Sequence, residues 1–281
     1  MDSPGPPIDT GFRSVFRTRL VKTPSEYGQN SSRSAGTTGQ GASTSSSSML
    51  EAQLAELPPT RDFVGSLRRP GARVIAELKS ASPSKGVIRE VIDIETVAPE
   101  LEAAGAAALS VLTEKNFFLG SESNLRRARK AVDIPLLRKD FIYDEYQILE
   151  ARVWGADAVL LIAAMLTPVQ FRCLHKFARS LNLAVLCEAH TAEELAMLLD
   201  NGGELIGVNA RNLSTFDTSL ELAGELIRRI PEGKIAVAES AIKSAEDLRK
   251  LEELGAKAFL IGETLMRAEH PGRKLCELLS K

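Results

Sequence analysis

Short apolar runs recur along the chain, and they keep ending on a charged or amide side chain. Val74-Ile75-Ala76 leads to Glu77 and Lys79, and Ile134-Pro135-Leu136-Leu137 leads to Arg138-Lys139-Asp140. Leu183 to Cys187 ends on Glu188, Leu205 to Val208 on Asn209, and Ile235 to Ala238 on Glu239-Ser240. The runs lack the apolar–polar alternation of a half-buried strand, so they read as strands buried on both faces. Their spacing predicts eight strands, near residues 73–79, 107–112, 134–139, 157–163, 183–189, 205–209, 235–239 and 258–262.

The stretches between them carry helix start and stop signals. Thr167-Pro168-Val169-Gln170 supplies a capping hydroxyl, a proline at the first helical position and a glutamine three residues on. Thr191 with Glu194 repeats the capping box, and Gly202 follows Leu195, Leu198 and Leu199. Ser244 opens a helix with Leu248, Leu251 and Leu254 on one face, and Gly255 stops it. Gly105-Ala106, Gly155-Ala156 and Gly255-Ala256 each stop a helix just before a strand, so one βα unit recurs along the chain. Eight strands alternating with helices predict a (β/α)8 barrel, the TIM-barrel architecture. The rival, an open doubly wound sheet, wants a glycine-rich fingerprint after its first strand, and Glu77-Leu78-Lys79-Ser80 is not one.

In such a barrel the strands deliver their last residues to one rim, where active sites lie. Glu77, Lys79, Lys139, Glu188, Asn209, Arg211, Glu239 and Ser240 would meet there. Two lysines facing three glutamates form an acid–base set, because the carboxylates keep the ammonium groups charged and able to donate. A ring of structural ion pairs is the alternative, but buried ion pairs are a poor source of net stability. The loops after strands 7 and 8, Glu239-Ser240-Ala241-Ile242 and Ile261-Gly262-Glu263-Thr264, offer small residues and free amides before short helical starts. Barrels bind phosphate at these two loops, and Lys79 could reach the same anion from strand 1. Ser82-Pro83-Ser84-Lys85-Gly86 reads as an irregular loop able to cover a ligand. Phe117-Phe118, ahead of Gly120, either packs against a helix or lines the rim, where it would suit a flat aromatic substrate.

Composition narrows the picture further. At 281 residues with 44% hydrophobic and 26% charged content, the chain can bury one large core. A net charge of −2 gives no reason to expect nucleic acid or a membrane surface as a partner. Cys173, Cys187 and Cys276 are odd in number and scattered, which disfavours disulfides or a zinc site and points to a reducing compartment. Residues 1–48 differ from the rest: eleven are Ser, with five Lys and Arg against three Asp and Glu. Such a stretch buries too little surface to offset its ordering entropy. A disordered tail, a start at Met49, or an organelle transit peptide all fit it. The predicted division is thus a Ser-rich tail over 1–48 and the barrel, with a short helical extension in front, over 49–281.

Several stretches together resemble the indole-3-glycerol-phosphate synthase family. They are Ile75-Ala76-Glu77-Leu78-Lys79 with Ser82-Pro83-Ser84-Lys85-Gly86, Leu112-Thr113-Glu114-Lys115 with Phe118 and Gly120, and Leu137-Arg138-Lys139-Asp140-Phe141-Ile142. Gly207-Val208-Asn209-Ala210-Arg211-Asn212-Leu213 and Leu260-Ile261-Gly262 complete the set. The resemblance implies a lyase of tryptophan biosynthesis. Its substrate would be 1-(2-carboxyphenylamino)-1-deoxyribulose 5-phosphate, closed to an indole with loss of CO2 and water, using no cofactor and no metal. By the same resemblance Lys139 is the general acid of ring closure, Glu188 the carboxylate of dehydration and Lys79 a second proton donor. Glu77, Asn209 and Glu239 position them. Ser82, Arg211, Ser240, Ala241, Gly262 and Thr264 contact substrate and phosphate, and Phe118 touches the anthranilate ring. A small phosphorylated molecule is the expected partner, with other tryptophan-pathway enzymes next, and the setting is cytoplasmic, or plastid if residues 1–48 are a transit peptide.

Two departures stand out. The family usually has glycine where this chain has Ala241, and its first amphipathic helix is not recognisable upstream of Leu54. The alternative function is therefore a catalytically weak or idle phosphate-binding barrel.

Overall fold

The computed structural model describes residues 49–211 and 218–280. The Ser-rich stretch 1–48 and the Asn212-Leu213 end of one motif lie outside the described residues. Eight parallel strands close into a barrel: β1 (Arg73–Leu78), β2 (Ala108–Leu112), β3 (Leu136–Lys139), β4 (Ala158–Ile162), β5 (Ala184–Ala189), β6 (Leu205–Asn209), β7 (Ile235–Glu239) and β8 (Ala258–Ile261). Each pairs with its sequence neighbours, and β1 closes the ring on β8 with Ile75 opposite Leu260. The predicted strands are all present, β6 and β7 with the expected bounds and the others trimmed by one or two residues.

Around the barrel run α1 (Phe63–Arg68), α2 (Ile94–Ala103), α3 (Glu122–Ala131), α4 (Glu145–Val153), α5 (Pro168–Ser180), α6 (Ala192–Asp200), α7 (Leu220–Ile227), α8 (Ala245–Glu253), α9 (Glu263–Met266) and α10 (Pro271–Leu279). Ahead of α1, residues 49–54 are helical, the short extension expected in front of the barrel. The capping signals work as read at Thr167/Gln170 and at Ser244 with Asp247. At α6 the box is modified. Thr191 accepts from the Glu194 N–H, but the Glu194 carboxylate reaches back to the N–H of His190. The stops Gly105, Gly155 and Gly255 have φ of 95°, 94° and 110°, which a side chain would oppose.

Two apolar layers follow from strand alternation. Val74, Ala76 and Leu78 of β1 pack outward against the helices, as do their counterparts on the other strands. Ile75, Ala108, Leu137, Leu160, Leu186, Leu205, Val237 and Leu260 fill the interior. Phe63 and Leu67 of α1 join that interior group, so α1 plugs the N-terminal end of the barrel. The plug is tied down by Asp157, just ahead of β4. Its carboxylate accepts the N–H groups of Arg61 and Leu136 at 2.7 and 2.8 Å and pairs with Arg129 at 2.8 Å. Among the described residues no helix is long and apolar enough to cross a membrane.

Candidate active site

Alternation that sends Ile75, Leu137, Leu186, Gly207, Val237 and Leu260 inward must send the residues two further along inward as well. Those residues are Glu77, Lys139, Glu188, Asn209, Glu239 and Gly262. The polar strand ends are therefore the top layer of the barrel interior. Arg138, between Leu137 and Lys139, points the other way. It donates to Thr113 and to the Gln147 carbonyl, and its guanidinium stacks 4.1 Å from the Trp154 ring centre.

Within this layer the Lys139 ammonium lies 2.9 Å from Glu188 Oε2 and 2.9 Å from Glu239 Oε2. Asn209 Nδ2 donates to the other Glu188 oxygen at 3.2 Å. Glu77 pairs with Lys79 and accepts the Ser110 hydroxyl at 3.3 Å. The three glutamates are buried and the two lysines nearly so. Burial works against the Lys139 charge, but the carboxylates of Glu188, Glu239 and Glu77 overcome it and hold the ammonium well above its ordinary range. Burial also opposes ionisation of Glu188, and there Lys139 and His190 win, so that carboxyl is held well below its usual range. Glu239 goes the other way. Burial and the nearby Glu188 charge outweigh Lys139, and it is pushed up to about 8. Of the two acids on Lys139, Glu188 is therefore the stronger, and Glu239 is the one that keeps its proton to higher pH. Two like charges sharing one site separate in this manner.

Two glycines make room for these acids. A Cβ on Gly207 would lie 2.1 Å from Glu239 Oε1, and one on Gly262 would lie 2.6 Å from Glu77 Oε1. Gly207→Ala is thus expected to push Glu239 off Lys139 and to lower kcat about a hundredfold, since a displacement near 1 Å costs that much in a positioned site. Steady-state kinetics beside a circular-dichroism melt separates this from loss of fold.

The layer floors a cavity of about 800 Å³, counted with its open mouth, lined also by Ser82, Phe118, Phe141, Arg211 and Ser240. Ser82 has a buried hydroxyl without a hydrogen-bond partner among the described residues. The Phe118 and Phe141 rings stand 6.1 Å apart at a 58° tilt, forming an apolar wall. Phe118 is held there by Glu114, whose carboxylate accepts the N–H groups of Asn116, Phe117 and Phe118 at 2.9, 2.6 and 3.2 Å. The SPSKG stretch is not irregular throughout, because Ala81–Ser82 pairs antiparallel with Gly86–Val87. This small hairpin brings Ser84 to the Arg211 guanidinium.

A second cavity of about 330 Å³ adjoins the first. Ser240, Ala241, Gly262, Glu263 and Thr264 line it, with Lys79 and Arg211 reaching in. It is the cavity expected from the loops after β7 and β8. The Thr264 hydroxyl is already engaged, donating to the Ile242 carbonyl at 2.5 Å, so that residue offers its main chain. Ser240 and Ala241 sit at φ of 69° and 62°, two side-chain-bearing residues in succession in the left-handed region. The methyl of Ala241 costs about 1–2 kcal/mol in this conformation relative to glycine. A β-branched residue there is a genuine outlier. Ala241→Val is expected to lower unfolding free energy by about 1–3 kcal/mol in a urea titration.

The residues expected from the sequence to act on or contact a substrate all line these two joined cavities, whereas Phe117, Lys85 and Gly86 do not. The sequence gives Gly207, Glu114 and Phe141 only as members of motifs, with no role, and nothing in it marks Ser110 or His190. Gly207 and Ser110 were hidden inside apolar runs, and His190 lies two residues beyond Glu188 with no motif of its own.

The Indole-3-glycerol phosphate synthase family model matches residues 37–278. The indole-3-glycerol phosphate synthase of Koribacter versatilis is 53% identical over 209 residues, covering 74% of this chain and 80% of its own length. That of Bordetella pertussis is 52% identical over 209 residues, with the same 74% and 80% coverage. Among solved structures, KGPDC from Streptococcus mutans superposes with a TM-score of 0.56 at 16% identity, over 74% of this chain and 96% of that one, a likeness of fold alone. By the family model and by its identity to these relatives, the chain belongs to the indole-3-glycerol phosphate synthase family.

Proposed function

We propose that this barrel closes 1-(2-carboxyphenylamino)-1-deoxyribulose 5-phosphate to indole-3-glycerol phosphate, acting as a carboxy-lyase of tryptophan biosynthesis. Residues 49–281 form the catalytic unit. The reading rests above all on one observation: the Lys139 ammonium, held between Glu188 and Glu239, lines a cavity with the Phe118–Phe141 wall, and that cavity adjoins a second one into which Lys79 and Arg211 reach.

Phosphate occupies the smaller cavity, on the amides of Ser240, Ala241 and Gly262, with Thr264, Arg211 and Lys79 around it. The anthranilate ring lies against Phe118, near the unpartnered Ser82 hydroxyl. That leaves the ketone carbon above Lys139. The ring carbon bearing the carboxylate attacks the ketone, and negative charge develops on oxygen. An ammonium has three N–H groups and Lys139 uses two on Glu188 and Glu239, so the third is free to meet that oxygen. Its raised pKa makes it a hydrogen-bond donor first. The proton moves when the oxygen has become the stronger base. The C–C bond to the carboxylate then breaks, and its electron pair restores the aromatic ring as CO2 leaves.

Dehydration needs a proton given to the departing hydroxyl and a proton taken from the neighbouring carbon. Lys79, kept charged by Glu77, gives the first. Glu188, oriented by Asn209, takes the second. Glu239 holds Lys139 in place while remaining neutral. The full chain should release CO2 and form indole in equal amounts from the carboxylated substrate, followed by indole fluorescence and CO2 trapping. Binding without turnover would contradict this reading.

A further inference from the structure

His190 takes no part in the scheme above, yet it stands against the proposed base. Its side chain is 8% exposed. Nε2 lies 3.2 Å from Glu188 Oε1, and Nδ1 lies 3.4 Å from Glu194 Oε2. The ring N–H directions miss a straight line to either oxygen, so these are ion-pair contacts rather than hydrogen bonds. The main-chain N–H of His190 donates to the same Glu194 oxygen at 2.7 Å, which fixes the acid to the strand end.

A neutral imidazole has one donor and one acceptor nitrogen, and here the acceptor would face a carboxylate. With a carboxylate oxygen within 3.4 Å of each ring nitrogen, charge favours the imidazolium over either neutral tautomer. The charged groups facing the ring are Glu188 from its own strand and Glu194 from α6. Beyond Glu188 lies Lys139 of β3, and beyond Lys139 lies Glu239 of β7. The two oxygens of Glu188 are thus divided. Lys139 holds Oε2, while Asn209 and His190 share Oε1.

We propose that His190 is a positioning residue: as an imidazolium bridging Glu188 and Glu194, it locks the Glu188 carboxylate in one orientation and keeps it ionised for proton abstraction. The proposal rests on reading Glu188 as the base. Burial by itself would lower the imidazole pKa, but the two carboxylates outweigh it and raise it from 6.5 to about 9. A pKa raised in the folded state gives stability that is complete below about 6.5 and lost as pH climbs through about 9. The bridge therefore holds through neutral pH and opens in alkali.

The chain has three histidines, His175, His190 and His270, so the ring signals of a histidine-labelled full-length sample are few enough to titrate by NMR. His190 should stay protonated well past pH 8, and Glu188→Gln should lower its midpoint by about one pH unit or more through loss of a contacting charge. A midpoint at or below 7, or one unmoved by Glu188→Gln, overturns the proposal. The kinetic arm uses His190→Phe, which keeps the ring volume without the charge, and Glu194→Gln on the solvent side. Each should lower kcat with KM within about threefold of wild type, and His190→Phe should also raise the acid limb of the kcat profile by about one pH unit. Unchanged kcat and an unmoved limb in a folded variant would refute the role. If wild type forms no indole, the functional reading fails, while the NMR midpoint still judges the bridge.

Discussion

Replacing Lys139 by alanine lowers kcat by about a thousandfold, or roughly 4 kcal/mol of transition-state stabilisation, in line with losing one positioned general acid. KM should change little, because the cavity proposed for phosphate is lined by residues other than Lys139. The variant also strips the buried Glu188 of its main counter-charge. Glu188 then ionises at higher pH, so the residual activity has an acid limb moved upward. That second signature separates loss of Lys139 from general damage, which would lower activity at every pH. Stopped-flow indole fluorescence across pH measures both effects. A kcat within tenfold of wild type would remove Lys139 from the central role.

The largest effect on stability is expected at Asp157, far from the chemistry. Asp157→Ala leaves the buried N–H of Leu136 and the Arg61 N–H without acceptors, and frees Arg129 from its partner. Breaking a buried pair from one side costs about 3–5 kcal/mol, enough to lower Tm by roughly 10 °C in a domain of this size. The cost does not come from a favourable carboxylate environment. Burial outweighs the partners and pushes the Asp157 carboxyl up from its ordinary value. The donors left behind set the penalty. Since Arg61 leads into the plug helix α1, melting should be accompanied by early exposure of Phe63 and Leu67, read by proteolysis near residue 61. A Tm loss under about 3 °C would show that these donors find water instead.

Much of this was legible in the chain because barrel strands are short, doubly buried and separated by capped helices. The capping hydroxyls of Thr167 and Ser244 and the stopping glycines are local signals, and local signals survive in a sequence. The inward layer followed from period-two alternation, which turns a list of strand-end charges into one face. What stayed hidden was non-local. Gly207 exists to clear the Glu239 carboxylate of the adjacent strand, and no pattern within β6 announces that. His190 matters through Glu188 on one side and Glu194 across a helix cap on the other. The sharing of charge between Glu188 and Glu239 needs their common distance to Lys139, which only the closed barrel supplies. The left-handed backbone at Ser240 and Ala241 was foreshadowed by the family's preference for glycine at Ala241, with no signal at Ser240.

The division of labour on the rim, with Lys139 for ring closure and Glu188 for dehydration, is the central claim. It is tested most directly by a rapid-quench single turnover of Glu188→Gln that follows CO2 and indole separately. Release of CO2 near the wild-type rate, with indole delayed and a decarboxylated, still hydroxylated intermediate building up between them, is the predicted result. Indole appearing in step with CO2 at the wild-type rate would contradict it.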